Sequence, residues 1–306
     1  MSVKLPFIHK IAFAFASAGW RGSQLLWKVA QSFQKTSEGK IIKLPNGFPV
    51  RIDSKDWISK TIYEGTYERA LLHFIDSLVL EDLCIDVGAN IGVTLWHSLK
   101  NSAPTATFLA FEPSAQCFES LNNSRADISN SGKIFDFAVG EADESRTIYG
   151  LQNESHSGAA SLISHWGVRG EKGEVQVRKL DTILKEYLGS HSISLLKIDT
   201  EGYEEQVIRG AKNTLASGKI EIIVMEVSPN FGSVEYLNDV NHLLGERYRW
   251  LALGELGNIK RRAFLEEISL SQAISLKQQW NLVLMRTDVL ENYQKSASPI
   301  SVAVIL

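Results

Sequence analysis

From Leu83 onward the chain alternates short apolar runs with longer stretches in which apolar residues recur at helical spacing. The runs Leu83 to Val87, Thr107 to Phe111, Lys133 to Val139, Val175 to Val177, Ser194 to Asp199, Ile220 to Val227 and Gln279 to Met285 predict strands, because most are too apolar to expose either face. Strands and helices alternating at ~30-residue intervals predict an α/β domain with a mostly parallel central sheet and helices on both faces, joined by right-handed crossovers. Upstream, Asn46-Gly47 between Ile41-Ile42 and Phe48 to Ile52 is a hairpin signal, and Glu64 to Val79 predicts a helix. The expected organisation is an amphipathic helical extension over 1–40, a single α/β domain over 41–288 and a tail over 289–306.

The chemistry concentrates at predicted strand ends. Leu83-Cys84-Ile85-Asp86-Val87 runs into Gly88-Ala89-Asn90-Ile91-Gly92, a turn whose glycines remove side chains and whose following helix brings amide dipoles toward a ligand. The next strand ends on Phe111-Glu112-Pro113, which places Glu112 to accept hydrogen bonds from two ribose hydroxyls. GANIG lacks the third glycine of the dinucleotide fingerprint, so a nucleoside without a pyrophosphate fits better, and S-adenosylmethionine is the commonest. Asp86 shares its strand face with Cys84 and Gly88, and either holds the turn or meets a ligand ammonium group.

Several further segments accompany these: IYEGTYE at 62–68, AFEPSAQCFESLNN, FDFAVGEAD, VRKLDTIL, LLKIDTEGYEEQVIRGAKNTL and IIVMEVSP, with Trp280 to Leu284 as a closing strand. In this order the chain resembles the FkbM family of S-adenosylmethionine-dependent methyltransferases, and the most specific element is KIDTEGYE with Gly210-Ala211 eight residues after its glycine. The resemblance implies a Rossmann-like class I methyltransferase fold, S-adenosylmethionine as cofactor, and O-methyl transfer to a small hydroxylated acceptor, a sugar or natural-product scaffold. It puts the donor on Asp86, Gly88, Asn90, Gly92, Glu112 and Pro113, with adenine beside Asp136, Phe137 and Ala138.

The methyl group is then expected at the end of the strand carrying Lys197-Ile198-Asp199-Thr200-Glu201. If the strand stays extended, Lys197, Asp199 and Glu201 share a face, and a cation among carboxylates splits their proton affinities so that one serves as base. Asp199 and Glu201 lead as catalytic candidates, supported by Lys197, while Glu226 binds acceptor hydroxyls or supports Lys197. Glu204 and Asp181 read as caps of the helices that follow them. His156, in the small-residue loop His156 to Leu162, is a conceivable base in a conceivable lid. Trp250, Arg261, Arg262 and Phe264 line an acceptor pocket or cover the sheet edge. The carboxylates are oxygen ligands without a metal spacing signature, and no metal is expected.

A net charge of −3 and a pI near 6.2 supply no field for a polyanion, so nucleic acid is not an expected partner. Two cysteines, Cys84 and Cys117, make no disulfide framework or metal pair, and a cytoplasmic enzyme is expected. Residues 4–35 mix aromatic and aliphatic side chains with Lys4, Lys10, Arg21, Lys28 and Lys35, and no acid precedes Glu38. That arm packs on its own domain, on a second subunit, or on a membrane surface. The apolar tail residues Ile300, Val302, Val304, Ile305 and Leu306 are expected to dock on this subunit or another. Two other classes compete with methyl transfer: an NAD-type oxidoreductase, disfavoured by the missing glycine, and a non-catalytic nucleoside-binding scaffold.

Overall fold

A computed structural model describes residues 41 to 303 apart from 44–46, 52–57, 59–60, 63–65, 101, 125–131, 152–159, 165–168, 232, 257–261, 276 and 297–300. The expected N-terminal helix, His156 and Arg261 lie outside the described residues. The described residues open with β1 (Ile41–Lys43) and β2 (Pro49–Arg51), paired antiparallel as the Asn46-Gly47 signal predicts, with Ile42 opposite Val50. A helix α1 (Arg69–Asp76) follows, shorter than the expected 64–79 because Glu68 before it is left-handed, at φ 40°.

The wound part comprises β3 (Leu83–Val87), α2 (Val93–Lys100), β4 (Thr107–Phe111), α3 (Ala115–Ser124) and β5 (Gly132–Phe135). An excursion through β6 (Ala138–Val139), β7 (Glu144–Leu151) and β8 (Arg169–Arg178) leads back through α4 (Leu180–Tyr187) to β9 (Ile193–Ile198). Then come α5 (Glu204–Gly210), α6 (Lys212–Ala216) and β10 (Ile220–Val227). The remainder is α7 (Leu237–Leu244), β11 (Tyr248–Leu256), β12 (Arg262–Glu267), α8 (Leu270–Ile274), β13 (Trp280–Arg286), α9 (Thr287–Lys295) and β14 (Ser301–Ala303).

The main sheet runs β14-β12-β11-β13-β10-β9-β3-β4-β5. Its half from β10 to β5 is parallel, whereas β13, β11 and β12 add antiparallel and β14 returns parallel to β12. The sheet is therefore α/β and Rossmann-like, with an antiparallel extension that period and spacing did not reveal. The period-two rule sorts its side chains into two cores. Ile85, Leu109, Leu196 and Ile223 face α4 to α7 through Leu180, Val207, Leu215 and Leu237. Cys84, Leu195, Val224 and Val283 face α1 and α9 through Phe74, Ile75 and Leu290. Each such side chain fully removed from water contributes about 1.5–3 kcal/mol before entropy is counted, which explains why β9 is buried at every position.

Three sequence expectations change, and one, the docking of the tail on this subunit, holds. Lys133 to Val139 is two strands: β5 closes the main sheet, and β6 leaves it to pair with β8. Val175 to Val177 is only a part of the ten-residue β8, in which Val177 is buried and Gln176 exposed; β8 pairs with β6 and β7, so this region is a separate three-stranded sheet and not a rung of the parallel one. Trp250 is packed inside the core, since β11 carries it toward the helices and away from any acceptor pocket. The tail contributes β14, seated on the edge strand β12.

Candidate active site

Four parallel strands deliver their carboxyl ends to one cleft of roughly 980 Å³, counting space open to solvent. At β3, Gly88 and Ala89 both donate their amides to Phe111 O, which ties the glycine turn to the next strand at 3.0 Å. Gly88 has φ 78°, and a Cβ there would lie 1.8 Å from the Asp199 carbonyl oxygen. A Cβ on Gly92, at φ 90°, would lie 2.5 Å from Leu121 Cδ1. These glycines are required by the close approach of neighbouring backbone and of α3, a different reason from the expected approach of a ligand. Gly88 nevertheless lines the cleft, and Gly92 is not among the residues that do.

At β4, Glu112 is buried and its two oxygens accept from Asn90 N and Ser114 N, each at 2.8 Å. Burial raises this carboxyl to about 7 against the pull of those two amides. The same half of the cleft is lined by Val87, Phe111, Pro113, Cys117, Ala138 and Val139, an apolar slot open to the edge of Glu112. Asn90 Oδ1 is buried there without a partner.

Asp136 is exposed and does not reach this slot, and Phe137 packs elsewhere. Its ring lies 5.6 Å from Phe111 and 5.1 Å from Phe135, with the Arg178 guanidinium 4.8 Å away. The turn between β5 and β6 makes Phe137 a support behind the slot, so of the three residues expected beside adenine only Ala138 lines it.

At β9 the strand ends at Ile198, and Glu201 is left-handed at φ 53°, so Lys197, Asp199 and Glu201 do not share an extended face as expected. Lys197 instead lies beneath the turn. Its ammonium is 3.2 Å from Asp86 and 3.2 Å from Asp199, and it donates to Gly88 O at 3.0 Å. Burial works against that charge, but Asp199 and Asp86 outweigh it and hold Lys197 above its ordinary value. Asp86 is buried beside it, outside the lining of the cleft. Asp86 reaches the turn through Lys197, whose ammonium bonds the Gly88 carbonyl.

Asp199 and Glu201 line the cleft. Ser161 donates to the Glu201 carbonyl at 2.8 Å, which joins the end of the predicted lid segment to this turn. Glu204 does more than meet the first amide of its own helix: its Oε1 also accepts from Thr200 N at 2.7 Å, Thr200 Oγ1 at 2.9 Å and Gly202 N at 3.2 Å, clamping the β9 turn.

At β10, Glu226 is buried and lines the cleft. Gln279 Nε2 donates to its Oε1, and Oε2 is buried without a partner. Burial first, then Asp199, Glu201, Glu204 and Glu68, push this carboxyl well above its ordinary value. The sequence reading assigned no role to Tyr67 and Glu68, which close the cleft from the turn before α1. Asn281 Nδ2 donates to Glu68 Oε2 at 3.1 Å, so β13 fixes this wall. Burial and the neighbouring Glu68 and Asp199 raise the Tyr67 phenol well above its usual range. Their only sequence signal is their position inside the segment 62–68.

The slot fits a nucleoside donor on two observations: the buried Glu112 carboxylate at the strand end with Asn90 Oδ1 unpartnered beside it, and the change from apolar to acidic lining toward β9, where a positively charged sulfonium is accommodated. Among the described residues, no group of three or more His, Cys, Asp or Glu is placed to hold a metal ion, and no helix is long and apolar enough to cross a membrane.

Residues 86–254 match the family model described as the methyltransferase FkbM domain. The methyltransferase sdnD of Sordaria araneosa is 26% identical over 163 residues, which are 44% of this chain and 62% of that protein, so the chain spans less than two thirds of this curated relative. Among solved structures, a SAM-dependent methyltransferase from Agrobacterium tumefaciens aligns with a TM-score of 0.40 at 9% identity, over 81% of this chain and 70% of the other. The N-terminal domain of human METTL16 aligns with a TM-score of 0.39 at 11% identity, over 90% and 93% respectively.

Proposed function

Since the chain belongs to the FkbM methyltransferase family and takes S-adenosylmethionine as its methyl donor, we propose that it transfers the methyl group to a hydroxyl of a small acceptor, a sugar or natural-product scaffold, with Asp199 receiving the hydroxyl proton. The observation that carries this reading is one cleft with two chemically distinct ends, Glu112 in an apolar slot and Asp199 with Glu201 and Glu226 across the glycine turn.

S-adenosylmethionine supplies an electrophilic methyl on a sulfonium whose charge disperses as the methyl leaves. The protein's work is mostly alignment in a water-poor cleft, an effect worth up to about 7–11 kcal/mol. Glu112 receives ribose hydroxyls, Asn90 Oδ1 takes a further donor, and Val87, Phe111, Ala138 and Val139 cover the base. Lys197 fixes Asp199 at 3.2 Å and ties it to the Gly88 carbonyl, so the base and the donor turn move as one unit. Glu204, by clamping Thr200 and Gly202, keeps the β9 turn open toward the acceptor.

Calorimetric titration of S-adenosylhomocysteine into wild type and Glu112→Ala tests the donor site. Micromolar binding that weakens by about tenfold or more, ~1.4 kcal/mol, is expected in the variant. Absence of binding to wild type would overturn the reading and return the oxidoreductase and scaffold alternatives.

A further inference from the structure

Five of the residues lining the cleft are acids, Glu68, Glu112, Asp199, Glu201 and Glu226, and none of the described lining residues is Lys, Arg or His. Lys197, the nearby cation, lies below the floor with its charge between Asp86 and Asp199. The donor accounts for only part of this excess. Glu112 serves the ribose, and Asp199 and Glu201 stand at the glycine turn, where the donor's sulfonium and ammonium come.

Glu226 is on the other side. It forms the wall shared with a second concavity of roughly 670 Å³ that also includes Glu68, Gln279, Trp280 and Asn281. Only 7% of Glu226 is exposed, one of its oxygens takes the Gln279 amide, and the other is buried in this wall of the cleft with no hydrogen-bond donor. A buried carboxylate oxygen without a donor is costly in a folded protein unless a ligand supplies one.

Resting on the methyltransferase reading above, we infer that the acceptor carries a protonated amine beside the hydroxyl to be methylated, and that this amine is bound at Glu226 Oε2. A hydroxyl would satisfy the oxygen's geometry but bring no charge to a wall lined by acids, and a carboxylate or phosphate would add to the negative charge there. An ammonium does both jobs, since charge-assisted hydrogen bonds are roughly twice as strong as neutral ones.

The test uses the full chain saturated with S-adenosylhomocysteine, titrated calorimetrically at neutral pH with glucosamine, glucose and glucuronate, three hydroxylated rings bearing a cation, no charge and an anion. Glucosamine should bind about tenfold or more tightly than glucose, with glucuronate weakest. In Glu226→Gln the preference for glucosamine should vanish while S-adenosylhomocysteine binds as in wild type. Equal affinities in wild type, no sugar binding at all, or a preference that survives Glu226→Gln would overturn the inference and leave the methyltransferase reading intact. A Glu226→Gln protein that loses S-adenosylhomocysteine would assign Glu226 to the donor instead, which also overturns it. If that variant does not fold, the wild-type ranking decides alone. Failure of wild type to bind S-adenosylhomocysteine marks a different fault, that of the donor reading itself.

Discussion

The two ends of the cleft treat a buried glutamate in opposite ways. At the β4 end, both oxygens of Glu112 are held by backbone amides, and the walls around it are apolar. At the β10 end, Glu226 has one oxygen on a neutral side-chain amide, the other empty, and four further carboxylates within electrostatic reach. Backbone donors come with the fold and do not change with the ligand, so the first end is preorganised for one constant shape. The second end is incomplete by itself, as befits a site completed by a substrate. Between the two lies Lys197, which bonds to the donor turn through the Gly88 carbonyl and to the acceptor end through Asp199.

The sharpest way to separate the ends is to remove the proposed base. Asp199→Asn keeps the shape of the side chain, and we expect the methyl-transfer rate to fall about 10²–10⁴-fold, the range typical of a lost general base. The affinity for S-adenosylhomocysteine should change far less, and a rate within about threefold of wild type would sink Asp199 as the proton acceptor. Lys197→Met probes the link itself. It leaves Asp86 buried opposite nothing and Asp199 unanchored, so a stability loss of about 3–5 kcal/mol is expected in denaturant unfolding. Restoring part of it with Asp86→Asn in the same chain would show that the loss arises from the stranded carboxylate.

Glu112 offers a pH test of the donor end. Its carboxyl is raised to about 7 in the fold from an ordinary 4.5, so the folded state holds this proton more tightly than the unfolded chain does. The group therefore contributes stability in acid that is lost as pH rises from about 4.5 through 7, a span worth at most about 3 kcal/mol. Donor binding has the opposite slope, because ribose hydroxyls need the ionised acceptor: affinity for S-adenosylhomocysteine should weaken as pH falls below about 7. Glu112→Gln should bind about tenfold more weakly near pH 8 and lose both pH dependences. A wild-type affinity flat from pH 6 to 8 would remove the ionised glutamate from donor binding.

How legible these two ends were depended on how locally each is encoded. The apolar runs at 83–87, 107–111 and 193–198 announce strands buried on both faces, and a carboxylate at the end of such a run is visible without coordinates, as with Glu112, Asp199 and Glu226. The side sheet was nearly invisible, because Glu144–Leu151 and Arg169–Arg178 are interrupted by charges that a largely exposed ladder tolerates. Glu201 was misplaced because period-two reasoning holds only while backbone stays extended, and its left-handed φ ends that. Tyr67, Glu68, Gln279 and Asn281 were missed for another reason. They come from the two ends of the chain's path and meet only through the β10–β13 pairing and the turn before α1. The acceptor end, assembled from distant segments, is thus the part that sequence pattern conceals.

The smallest effect concerns a motif residue that belongs to neither end. Asp181, in the VRKLDTIL segment, was expected to cap the helix it begins, yet its carboxylate reaches across to a different one. Oδ1 accepts from Thr214 N at 2.8 Å and from the Thr214 hydroxyl at 2.6 Å, and Oδ2 accepts from Asn213 N at 2.9 Å. These amides open α6, where a five-residue helix has few other means of satisfying its first N–H groups. Asp181→Ala should therefore cost about 1 kcal/mol of stability, the usual loss for a removed cap, and hydrogen exchange should accelerate at Asn213 and Thr214. S-adenosylhomocysteine affinity and the glucosamine preference should stay unchanged, because α6 packs into the core through Leu215 and gives no residue to the lining of the cleft. A change in either binding constant would mean that the two ends of the cleft are coupled to the helical layer beneath them, and that treating them as separate sites is mistaken.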